Sequence, residues 1–205
     1  MAATSTSAAP FGGSVRTLRY VGDFIASSAS EGSDGELYVT YYWDMGGTYY
    51  EADRLGALTG SGLREIFAGV FLDELTIIGT SGGYPEFLVG PGDTSHMTPN
   101  IGVWSTSGAG VQLTTTLSLS DASNKARPCT WCGEQPAPSV KPYCAPFAGG
   151  QLCGSNPGMT FTKNGKTVEV DRDAYLVGAG LHRFLIVERP RFEPPIYIEG
   201  FAASD

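Results

Sequence analysis

The chain has 205 residues, with 13 Lys and Arg against 21 Asp and Glu and a formal charge of −8. Gripping phosphates takes clustered Lys and Arg, so direct nucleic-acid binding by this stretch is excluded; its one locally basic spot, Arg189 and Arg191, is flanked by Glu188 and Glu193. No apolar run reaches the roughly 18–20 residues of a membrane-spanning helix, and a hydrophobic content of 41% is enough to build a packed core.

In chain order, residues 1–13 (MAATSTSAAPFGG) have neither the basic nor the apolar region of a signal peptide and read as a flexible lead-in. The segment SVRTLRYVGDFIASS reads as strand, and a Ser/Gly-rich bend follows it. From Leu37 the odd positions are Leu37, Val39, Tyr41, Trp43 and Met45. Successive side chains of a strand point to opposite faces, so this set forms one apolar stripe expected to be buried. The even set, Tyr38, Thr40, Tyr42 and Asp44, is amphipathic. It suits water, a second sheet or another copy of the chain.

Between Ser61 and Ile78 the residues Leu63, Ile66, Phe67 and Val70 have the i, i+3, i+4, i+7 spacing of a short amphipathic helix. Gly69 interrupts that pattern, and the same residues serve equally well as β structure. EFLVG after SGGYP reads as strand, and the Gly79–Gly83 region as turn chemistry. IGVWSTSGAGVQLTTTLSLS reads as two strands joined at Ser107–Gly110, with Val111, Leu113, Thr115, Leu117 and Leu119 on one face. MTFTKNGKTVEV is the plainest hairpin, because Asn164-Gly165 supplies the positive φ angles of a type I′ turn between alternating arms. HRFLIVERP and PIYIEGF close the sequence as strands. Many short strands separated by turn signals predict an all-β antiparallel sandwich, of jelly-roll type.

Residues 124–158 differ in kind: rich in Pro and Gly, without periodicity, and holding Cys129, Cys132, Cys144 and Cys153. A loop of that length inside a compact domain needs a tether. Four thiolates could hold a tetrahedral zinc. Two disulfides, whose pairing the spacing does not reveal, would serve as well, and free or mixed thiols are the third state. Asp171 and Asp173 could take calcium at a subunit contact, although a solvated turn after the hairpin explains them too. His96 and His182 are the only histidines, and the sequence marks no partner for either. The cluster Tyr41, Tyr42, Trp43, Tyr49 and Tyr50 fits a core or an interface better than a sugar-stacking face. No set of catalytic residues emerges, and the expectation is that the chain is not an enzyme.

The stretch LRYVGDFIASSASEGSDGELYVTYYWDM resembles the end of the shell domain in coat proteins of small icosahedral RNA viruses of the tombusvirus-like and nodavirus-like kind. There a strand ending in a Val-Gly element passes through a Gly/Ser/Thr bend into a Gly-x-Leu-x-Val-x-Tyr strand. Gly35, Glu36, Leu37, Val39, Tyr41, Asp44 and Met45 match that form, with Tyr20, Gly22 and Phe24 upstream. The resemblance covers residues 14–47 and departs in two ways. The motif stands near residue 15 rather than late in a shell domain, and the basic arm of such proteins is missing. It implies that residues 14–47 are shell-type strands and that residues 48–205 form a second, projecting-type β domain. It implies a capsid subunit or its C-terminal part, found in the virion, whose partners are copies of itself, other capsid subunits and a host receptor. On that reading Leu37, Val39, Tyr41, Trp43, Tyr38 and Tyr42 are core and interface residues. The competing expectation is a β-sandwich binding module for a glycan or receptor.

Overall fold

The computed structural model describes residues 2–8, 11–19, 24–43, 54–59, 62–68, 73–81, 84–91, 102–107, 110–118, 121, 143–155, 157–188 and 195–203. The strands in chain order are β1 (Ala2–Ala8), β2 (Ser14–Arg19), β3 (Phe24–Glu31), β4 (Leu37–Trp43), β5 (Arg54–Thr59), β6 (Gly62–Ala68), β7 (Asp73–Ser81) and β8 (Tyr84–Pro91). They continue with β9 (Gly102–Ser107), β10 (Gly110–Thr116), β11 (Tyr143–Phe147), β12 (Gly150–Gly154), β13 (Met159–Lys163), β14 (Lys166–Asp171), β15 (Ala174–Ala179), β16 (Arg183–Glu188) and β17 (Ile196–Phe201). The fold is all-β, as the alternating pattern predicts. Two compact units divide the chain, one of residues 1–23 with 130–205 and the other of residues 24–129. The divisions fall after Asp23 and after Cys129, whereas the resemblance ends its shell strands at residue 47.

In the unit of residues 24–129, β3, β4, β5 and β6 lie side by side as one antiparallel meander, and β7, β8, β9 and β10 form another. The two layers close on a core of Tyr38, Leu55, Ala57, Leu75, Ile77, Phe87 and Val89. Phe67 and Trp104 pack at its margin, with ring centroids 5.6 Å apart and each ring also against Phe87. The helical spacing of Leu63, Ile66 and Phe67 is realised instead as β6, which pairs with β5 from Thr59↔Gly62 to Arg54↔Ala68. A register shift between Leu55 and Gly56 breaks the strict alternation there, and that break is what gives the sequence its helix-like spacing.

In the other unit the strands run β1, β2, β17, β16, β15, and a second sheet is the meander β11, β12, β13, β14. Phe147, Phe161 and Phe184 are buried between these layers with Leu152, Met159, Leu176 and Ile186. Phe11 joins the three rings edge-on, at centroid distances of 5.1, 6.2 and 5.4 Å. Such edge-to-face pairs contribute about 0.5–1.5 kcal/mol each beyond the area they bury. The Asn164-Gly165 turn has the expected positive φ angles, 52° and 74°, between arms paired from Lys163↔Lys166 onward.

Three sequence expectations need correction. Residues 2–8, expected to be a flexible lead-in, form β1 and pair with β2. The stretch 124–158, expected to be one long loop, contains the β11–β12 hairpin. Its two-residue turn uses Ala148 at φ 49° and Gly149 at φ 70°, a turn hidden by the Pro- and Gly-rich residues before it. The single face expected for Val111 through Leu119 is broken by a register shift between Leu113 and Thr115, and Leu113 stands exposed.

Candidate functional site

Strand β4 carries the residues the sequence singles out. Gly35 begins its approach at φ 74°, a left-handed conformation that disfavours any residue with a Cβ. Asp34 secures the turn by accepting the backbone N–H of Glu36 at 3.1 Å and the Tyr38 hydroxyl at 2.6 Å. Leu37, Val39 and Tyr41 are then buried on the odd face, as the alternation predicts. Trp43 ends the strand opposite Phe24 in the β3 register.

The even face is buried as well. Tyr38, Thr40 and Tyr42 are each under 5% exposed, so of the three options open to this face it is water that the structure removes. Tyr38 belongs to the inter-layer core with Leu75 and Ile77 of β7. Thr40 is tolerated there because it is hydrogen-bonded. A bulge at Ser27 lets both Ser27 and Ser28 reach the Thr40 hydroxyl, at 2.8 Å from Ser27 and in closer contact from Ser28. Ser28 Oγ also accepts the backbone N–H of Ile77 at 3.0 Å. Three hydroxyls thereby satisfy one another and fix where β7 lies across β3 and β4. Burial, first, and the hydrogen bond to Asp34 then hold the Tyr38 phenol protonated well above its ordinary range.

The sequence gives no hint of the most buried charge among the described residues. Glu199 on β17 has no exposed surface, yet both its carboxylate oxygens are occupied. Arg16 of β2 donates to Oε2 through Nε at 3.2 Å and through Nη2. Arg183 of β16 donates to Oε1 through Nε at 2.8 Å and through Nη2. Both guanidinium groups also lie over the Phe201 ring, 5.3 and 5.5 Å from its centroid. Three strands are clamped in one register by paired, fork-shaped hydrogen bonding. Arg16, Arg183 and Glu199 lie far apart in sequence, and only the pairing of β2 and β16 with β17 brings them together.

Cys144 and Cys153 face each other across β11 and β12 and form a disulfide. Their sulfurs are bonded to one another, which corrects the four-thiolate zinc reading. Cys129 and Cys132 lie outside the described residues, as do His96, Tyr49, Tyr50, Asp44 and Met45. His182 stands exposed in the turn before β16. Asp171 Oδ1 accepts the backbone N–H groups of Asp173 and Ala174, at 2.8 and 2.9 Å, which is the work of a turn residue. Glu188 is pushed above the usual carboxylate range by burial and then by the charges of Asp171 and Asp173. Among the described residues no three His, Cys, Asp or Glu side chains group as a metal site, and no described helix is long and apolar enough to cross a membrane.

The outer strands differ in their protection. On β6, Arg64 pairs with Glu36, and Arg54 of β5 donates to Glu65 at 2.6 Å. β14 carries Lys166, Glu169 and Asp171, and β11 carries an exposed Pro146. β7 directs the Ile77 N–H to Ser28. Among the described residues β10 has none of these: its exposed residues are Gln112, Leu113, Thr114, Thr115 and Thr116. Comparison with family models, with curated proteins and with solved structures finds no match to this chain.

Proposed function

We propose that this chain is a structural protein that works by assembling with copies of itself, a capsid subunit or the C-terminal part of one. The observation that carries the reading is the stretch from Gly35 into β4, in which Gly35, Leu37, Val39 and Tyr41 of the shell-type pattern each have a structural task. Gly35 supplies the positive φ, and Leu37, Val39 and Tyr41 are buried in the middle of an antiparallel sheet. The composition agrees with it: few charges, many Ser, Thr and Gly, and only 13 cationic side chains in the whole chain. Extensive, mostly neutral β surfaces suit repeated contacts with symmetry mates, where many modest interfaces add up to one stable particle.

The test is sedimentation velocity and electron microscopy of the purified chain across a concentration series. Closed particles, or discrete oligomers larger than a dimer that build them, are the expected result. A protein that remains monomeric at high concentration and binds a glycan array through Trp104 overturns the reading in favour of a binding module.

A further inference from the structure

We propose that β10 is a strand-addition edge and that its occupant is β10 of a second copy, paired antiparallel along Gly110–Leu113. The inference rests on the assembly reading and names the contact that assembly would use. An outer strand presents unpaired backbone N–H and C=O groups, and proteins ordinarily blunt such edges with charge, proline, bulges or cover. Among the outer strands whose side chains are described, β6 and β14 carry charges, β11 carries Pro146 and β7 has the N–H of Ile77 taken up by Ser28. Among the described strands β10 lies at the end of its sheet with only β9 beside it.

Its sequence is suited to a copy of itself. Between Asp93 and Asp121 the chain contains no Asp, Glu, Lys or Arg. Two copies of β10 can therefore meet without opposing like charges, even though the whole chain carries −8. Gln112 and Leu113, successive residues of the regularly paired part of the strand and so on opposite faces, are both exposed, which leaves the strand open above and below. The bulge at Thr114, whose hydroxyl donates to the Val103 carbonyl at 2.8 Å, marks where the regular edge stops. The pairing proposed is thus short, isologous and individually weak, the sort of contact that closed symmetry multiplies.

The experiment uses the full chain with Gln112→Lys/Leu113→Lys, beside Thr167→Lys on the already charged β14 as control. Each is followed by sedimentation velocity, electron microscopy and circular dichroism. The double variant is expected to need at least tenfold higher concentration to self-associate, with an unchanged spectrum, while the control associates as the parent does. Backbone hydrogen exchange on the parent adds a readout free of any folding defect: amides of 110–113 should gain protection on association. If the double variant assembles like the parent, or those amides gain nothing, the edge proposal is overturned while the capsid reading stands. If the parent forms only dimers that the lysines abolish, the edge is supported and the capsid reading falls. A parent that is monomeric at every concentration overturns both.

Discussion

The backbone N–H of Ile77 donates to Ser28 Oγ at 3.0 Å, joining β7 to β3 across two layers of the same unit. A buried amide at the margin of a sheet needs a partner, and this one finds a side chain made available by the neighbouring bulge. Ser28→Ala should lower stability by about 1–3 kcal/mol, the cost of leaving a buried donor unsatisfied. Chemical denaturation of the variant measures this. A double-mutant cycle with Thr40→Val should show coupling between the hydroxyls, and strict additivity would mean that they do not act together.

The Glu199 clamp should respond asymmetrically. Glu199→Gln leaves two guanidinium groups facing each other in a largely buried place and should cost about 3–5 kcal/mol. Replacing Arg16, Glu199 and Arg183 together with apolar residues of similar volume should cost far less. Equilibrium unfolding of both variants decides the matter; equal losses would show that the three residues act by packing alone.

Tyr38 predicts a loss of stability in alkali. An unfolded tyrosine titrates near pH 10, whereas burial and Asp34 hold the folded Tyr38 proton to higher pH. Above about pH 10 the unfolded chain gives up this proton first, so the contribution is present below that pH and declines above it. Tyr38→Phe should flatten the fall in melting temperature between about pH 10 and 12. Identical pH profiles for parent and variant would count against it.

Reduction of Cys144–Cys153 should be felt moderately. The bridge closes a short segment, with a sequence separation of 9, and chain-entropy reasoning gives about 2–3 kcal/mol for a loop of that size. Because β12 is also paired to β13, the hairpin should survive the paired change Cys144→Ser/Cys153→Ser. Thermal unfolding with and without reductant checks both points, and a complete loss of folding would show that the disulfide is the hairpin's main support.

Wherever a local rule applies, the sequence speaks clearly. Alternation at Leu37–Tyr41 marks burial, and Asn164-Gly165 marks a hairpin. Bulges at Ser27, Ile66 and Thr114 shift the period by one residue and so defeat simple alternation. The Ala148-Gly149 turn is hard to find because alanine rarely takes a positive φ. Long-range order is less legible still. Nothing local in Arg16, Arg183 or Glu199 announces that they meet, since their proximity follows from strand order. Burial of both faces of β4 likewise depends on a second layer that the strand itself does not encode.

The position of β17 between β2 and β16 has a consequence for the order of events during synthesis. All strands of the unit 24–129 have been made once residue 129 is reached, and its pairings join strands adjacent in sequence. The other unit must keep β2 waiting until residues 196–201 exist, because Tyr197, Ile198 and Glu199 are its partners. Closing contacts across so many residues is slow. Until then the N-terminal hairpin of β1 and β2 exposes an unpaired edge, and Arg16 has no carboxylate to meet. Refolding should accordingly show two phases, with the slower one reporting the arrival of the last strand.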